Sequence, residues 1–144
     1  MIRRRTLLQT GVIDISNATV TQSSSYTYDG TAKTPSVTVT LLGETVPSEC
    51  YDVTYSNNVN AGTATVTVTG KDGYEGTATG TFTISKKSLS VTASDQTVTY
   101  PSTISSSTSK VSVSGLVSGD SLTSISLSSS ISAPGTGTIT PSNA

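Results

Sequence analysis

The sequence has no histidine and no tryptophan, and only one cysteine, one phenylalanine and one methionine. Without histidine there can be no Ser-His-Asp or Cys-His arrangement and no His-ligated zinc site. With Cys50 alone there is no internal disulfide and no thiolate cluster, and Cys50 reads as a small, partly buried strand residue. Charge is scarce as well. Asp, Glu, Lys and Arg make up 12% of the 144 residues and the net charge is −1, about half the usual charged share. That balance gives no electrostatic case for a nucleic-acid partner. Hydrophobic residues are 33% of the chain, and no apolar run approaches the length of a membrane span.

In place of these, the chain has Ser and Thr, roughly more than a third of it in total. Such bias can signal disorder. Here the Thr residues alternate with Val, Ile and Ala, which is the pattern of solvent-facing strand positions, and Thr suits a pleated surface. The stretch from Tyr51 to Ser85 is the clearest case. Tyr51, Val53 and Tyr55 share one parity. Ala64, Val66 and Val68 share the next, opposite Thr63, Thr65, Thr67 and Thr69. Ala78, Phe82 and Ile84 share the third. Strict alternation marks a strand half buried against a core. Asn57-Asn58, Ala61-Gly62, Asp72-Gly73 and Gly76 supply turn chemistry between the runs. The expectation is a three-stranded antiparallel meander.

Upstream, Ile13 and Ile15, then Ala18 and Val20, Tyr26-Thr27-Tyr28, and Val37 to Leu41 read as short strands. Six or seven strands in about 75 residues point to a β-sandwich. Lys86-Lys87 mark a seam. Beyond it, Leu89 to Ala93, Val98 to Pro101, Val111-Val113, Leu122 to Leu127, Ile131 and Ile139 read as weaker strands with few large apolar side chains. A domain of that size buries only about 60% of its unfolded surface. The second module is therefore expected to need a neighbour or a further segment. No window shows helical periodicity.

Met1-Ile2-Arg3-Arg4-Arg5 begins like the basic part of a signal peptide. Leu7-Leu8 is too short an apolar region to continue one, so the expectation is a chain made in the cytoplasm and not exported by a standard route. Residues 1–10 are instead read as a basic arm. Ile2, Arg3, Arg4, Arg5, Leu7 and Leu8 are its candidate anchor residues on another protein. Asp29, Asp52, Asp72, Glu75, Asp95 and Asp120 are scattered at turns and strand ends. A glycosidase needs two carboxylates about 5–10 Å apart in a cleft, and the spacing suggests none. A cation at Asp72 to Glu75 would find few oxygens. No catalytic residue, metal or cofactor is expected. Tyr can stack on a ligand while its hydroxyl stays wet; Tyr74, placed at a turn tip, is the candidate ligand contact, while core or edge-of-core roles are expected of the others.

Tyr26-Thr27-Tyr28-Asp29-Gly30, Pro35, Tyr51 to Asn58 and Asn60 to Ala64 resemble the YDG-type Ig-like repeat of bacterial surface proteins, and Gly70 to Ile84 continue the likeness. Leu89 to Ala93, Tyr100 and Ser114 to Leu122 are similar to the start of an MBG-type repeat. Together these cover most of residues 12–144. The resemblance implies a stalk or spacer with no shared catalytic residues, so none are carried over. Adhesin repeats sit in long exported chains with signal and anchoring segments, from which this sequence departs. The second repeat stops at Ala144, short of the family's closing strands, and is expected to be incomplete. A basic MIRRR start followed directly by Ig-like modules looks more like a tailed-phage or prophage structural protein, whose virions leave by lysis.

The expected fold is all-β, an Ig-like antiparallel β-sandwich followed by a second smaller β module. The order is basic N-terminal arm (1–10), sandwich (11–87) and second module (88–144). The expected function is non-catalytic display on a phage virion, head or tail, by a protein made in the host cytoplasm. Expected partners are capsid or tail proteins, further copies of the chain, and glycans held weakly through avidity, with no membrane or nucleic acid. The alternative is a stalk or spacer repeat of an adhesin at the bacterial cell surface.

Overall fold

The computed structural model describes residues 11–144. These are almost entirely β, 42% strand and 4% helix, the helix consisting of single 3-10 turns at Ser48–Cys50 and Thr108–Lys110. Two compact units divide between Lys86 and Lys87.

The first unit holds β1 (Ile13–Asp14), β2 (Thr19–Thr21), β3 (Ser25–Thr27), β4 (Thr38–Leu41), β5 (Glu44–Thr45), β6 (Tyr51–Ser56), β7 (Gly62–Gly70), β8 (Tyr74–Glu75) and β9 (Thr77–Ser85). One sheet has the order β3-β9-β7-β6 and the other β2-β4-β5, with β1 and β8 as a separate pair. The meander forms as its alternation predicts. β6, β7 and β9 pair antiparallel, with Val53 opposite Val68 and Val66 opposite Gly80. Ala64, Val66, Val68, Ala78, Phe82 and Ile84 are buried, while the Thr residues of β9 point to solvent. Val39, Ile15 and Val46 close the core from the other side, so the unit is a sandwich of two inner faces.

Two pairings depart from an antiparallel arrangement. β3 lies parallel to β9, with Tyr26 opposite Ile84, and β1 lies parallel to β8, with Ile13 opposite Tyr74. Alternation tells which face of a strand is buried but not which neighbour it takes or in which direction, and these short strands pair with partners far along the chain. β8 was also not anticipated as a strand separate from β9. Gly80 has its own reason. It occupies an inward position of β9, where a Cβ would come within 2.7 Å of the Gln22 amide and 3.1 Å of Val20. Glycine there lets β2 approach the sheet closely.

Tyrosines fasten the edges of this core. The Tyr26 ring meets Phe82 edge-on, with centroids 5.5 Å apart. The Tyr55 hydroxyl donates to the Pro35 carbonyl at 2.6 Å, and that of Tyr51 to the Val37 carbonyl at 3.3 Å. Asn58 Nδ2 donates to the Lys33 carbonyl and Lys33 N to that of Asn58. Side chains of β6 and its loop thus satisfy backbone acceptors of the 33–37 segment that no strand pairing reaches.

The second unit holds β10 (Ser90–Ala93), β11 (Val111–Ser114), β12 (Ser126–Ser129) and β13 (Ile139–Ser142). They form two antiparallel pairs, β10-β11 and β12-β13. Ile125 and Leu127 are its buried apolar residues, while Leu89, Val98, Tyr100, Leu116 and Ile131 are exposed. Neither Val98 to Pro101 nor Ile131 forms a strand. The alternating pattern there is real, but too little apolar surface faces it to hold an extended segment in a ladder.

Candidate functional site

The anchor residues Ile2, Arg3, Arg4, Arg5, Leu7 and Leu8 lie outside the described residues. Tyr74 is described, and its place differs from a turn tip. The turn runs Lys71 to Tyr74, closed by Tyr74 N donating to the Lys71 carbonyl at 3.1 Å. Asp72 and Gly73 occupy its centre with φ of 51° and 94°, the mirror-image turn that joins twisted strands without splaying them. Tyr74 follows the tip, enters β8 and packs against the core half buried. Its pairing with β1 draws the ring inward.

Of the other tyrosines, Tyr51 is buried, and Tyr26, Tyr28 and Tyr55 pack against the same core. Cys50 is a half-buried free thiol packed there too. Among the described residues, no group of three or more His, Cys, Asp and Glu side chains could hold a metal ion. Asp29 forms a compact polar turn. Its Oδ1 accepts from Thr31 N at 2.9 Å and Thr31 Oγ1 at 2.6 Å, and Lys33 Nζ lies 2.5 Å away. The Lys33 ammonium, aided by Thr31, holds the Asp29 carboxyl well below the usual carboxylate range. This is a turn lock built from its own neighbours.

Tyr100 is the exposed tyrosine, with 64% of its surface open. It sits in a turn closed by Ser102 N donating to the Thr99 carbonyl at 2.8 Å. The base of that loop is clamped. Gln96 donates through Nε2 to the Ser105 carbonyl at 3.1 Å and accepts from Ser105 N at 3.0 Å through Oε1. One residue on, Ser106 Oγ accepts from Leu127 N at 2.8 Å and so docks the loop on β12. Between this loop and the β12–β13 hairpin lies an open groove of about 1150 Å³. Tyr100, Val98, Ile104 and Ile131 line it together with Ser, Thr and Gly residues, and Asp95 is the one Asp, Glu, Lys or Arg on its wall.

No family model, curated protein or solved structure matches the chain. The groove was missed from the sequence because Val98-Thr99-Tyr100 reads as strand. The dipeptide Tyr100-Pro101 was the available signal, since Pro demotes a strand and marks a turn.

Proposed function

We propose that this chain is a non-catalytic display protein, an Ig-like module held on a phage virion, at head or tail, by residues 1–10 and present in many copies. The observation that carries this reading is the build of the first unit. Its buried aromatic core and tyrosine-fastened edges make a firm body, while the outer positions of β9 are Thr, suited to a spacer that presents itself to water without chemistry of its own. The basic and apolar residues Ile2, Arg3, Arg4, Arg5, Leu7 and Leu8 offer a docking segment for a capsid or tail protein. Display in many copies turns weak contacts with host glycans into useful adhesion. A stalk or spacer repeat of a bacterial surface adhesin is the second reading, favoured by the surface-repeat resemblance at Tyr26 to Gly30 and Tyr51 to Ala64.

The test is fractionation. The native protein should co-purify with phage particles, and a chain lacking residues 2–8 should lose that association while its circular dichroism stays that of the intact fold. Recovery from cell walls of uninfected cells, and never from particles, would select the adhesin reading instead. Loss of the folded first unit on deletion would contradict a purely attaching role for the arm.

A further inference from the structure

Resting on the adhesive part of that reading, we propose that the groove of the second unit binds a neutral oligosaccharide and that Tyr100 is its stacking platform. Five of the six tyrosines lie in or against the core of the first unit. The sixth is held in water at the tip of a turn whose base is clamped at Gln96–Ser105 and docked at Ser106–Leu127. The backbone that carries the ring is thus held at its base and loses little conformational freedom when a ligand arrives. One aromatic face with a wet hydroxyl suits the C–H face of a pyranose ring.

The groove wall selects the class of ligand. Val98 and Ile131, 44% and 42% exposed, offer apolar patches. Along the rest of the wall Ser and Thr hydroxyls and the Gln96 amide offer donors and acceptors between further apolar residues, Ile104, Leu127 and Ile139 among them. No Lys or Arg lines it, and Asp95 is its single charge, so an anionic ligand would meet repulsion and no counter-charge. An added peptide strand is also disfavoured. β12 has its Leu127 amide occupied by Ser106 Oγ, and β13 carries Pro141, which has no N–H to donate to a ladder. A volume of about 1150 Å³ exceeds the roughly 300–1,000 Å³ of sites for single small molecules. What remains is an uncharged chain of hydroxylated rings, with Asp95 as acceptor for its hydroxyls.

The experiment uses the purified full chain and a panel of soluble hexasaccharides: chito-, cello-, malto-, xylo- and manno-oligosaccharides. Binding is read by calorimetry and by saturation transfer from protein to sugar ring protons. At least one member should bind. Tyr100→Ala should weaken it by about 2- to 10-fold, the range of an aromatic stacking contact. Tyr100→Phe should keep most of the affinity, because the ring face is retained. Leu42→Ala, at an exposed apolar residue of the first unit, should change nothing. Tyr100 is exposed, so its variants should keep the circular dichroism of the parent. Absence of binding across the panel, binding indifferent to Tyr100→Ala, or binding of a proline-rich peptide in place of every sugar would overturn the proposal. Sugar binding by a chain that never joins particles would sink the virion reading and leave the groove standing.

Discussion

The two units use the same Ser- and Thr-rich strand vocabulary and reach different degrees of closure. The first buries its one phenylalanine, a row of valines and isoleucines, and Tyr51, and packs four half-buried tyrosines against them. The second buries Ile125 and Leu127, and leaves Val98, Leu116 and Ile131 partly in water. Its ladders are four residues long and come in pairs, whereas β7 and β9 pair over eight consecutive positions. The contrast shows that alternation alone supplies a strand's faces, and that volume on the inner face decides whether the strand becomes part of a core. The loosely filled second unit has room for a groove beside its β12–β13 hairpin.

The largest test of this contrast compares one truncation in each unit. Phe82→Ala removes a fully enclosed ring along with its edge contact to Tyr26. It should cost about 3–5 kcal/mol and speed amide hydrogen exchange throughout β7 and β9. Leu127→Ala should cost about 2 kcal/mol, at the low end of such substitutions, because an open groove lets its surroundings relax. Its faster exchange should be confined to the second unit. Denaturant titration gives the energies and residue-resolved exchange gives their reach. Equal acceleration in both units by either variant would end the description of two separate cores.

Smaller effects come from the fastenings. Tyr55→Phe removes the donor to the Pro35 carbonyl and should cost about 1 kcal/mol in urea unfolding, the net worth of such a hydrogen bond. Burial, with Tyr26 nearby, pushes the Tyr55 hydroxyl up from its ordinary value of 10.0. The neutral phenol is therefore favoured in the fold. Its contribution is full below pH 10.0 and declines as pH rises through the folded value. Tyr55→Phe should remove that share of the alkaline loss.

Leu42 reverses the sign. It stands at φ 50° in the turn between β4 and β5, followed by Gly43 at φ 86°, and 97% of it is exposed. Asparagine tolerates that left-handed position better than leucine. Leu42→Asn should therefore stabilise the first unit by about 0.5–1 kcal/mol, a gain readable as a higher urea midpoint with unchanged slope.

How much of this could be read from residues follows from the same physics. The meander was legible because Thr and apolar residues alternate without a break from Thr63 to Thr69 and, with Gly80 the one gap, again from Thr77 to Ile84, and because Asp72-Gly73 demands a particular turn. The all-β sandwich followed from it. The partners of edge strands were not legible, since Ile13 and Tyr26 show their apolar parity but not that they run parallel to β8 and β9. Tyr74 was misplaced for a related reason. Sequence proximity to Gly73 suggested a tip, and only the long-range pairing with Ile13 turns the ring toward the core. Tyr100 carried the opposite error, an alternating pattern with nothing large enough to bury it.

The least costly test concerns how each unit closes its turns. In the second unit, Ser107 Oγ accepts from Ser109 N and Ser130 Oγ from Thr138 N, neutral contacts whose strength does not depend on pH. In the first, Asp29 closes the 29–33 turn as a carboxylate against Thr31 and Lys33. The Lys33 contact, and then Thr31, lower the Asp29 value below 3.8. The folded state therefore favours the charged form more than the unfolded chain does. Its contribution is complete above pH 3.8 and shrinks as the pH falls toward the folded value, because there the unfolded chain takes up the proton first. A carbon-detected NMR titration of the Asp29 carboxyl should show it ionised well below the ordinary range. Lys33→Met should move that titration upward yet not all the way, since both Thr31 donors remain. An unshifted Asp29 in the parent chain would mean that the lock seen around Gly30 does not hold in solution. The turn would then be closed no more firmly than the serine turns of the second unit.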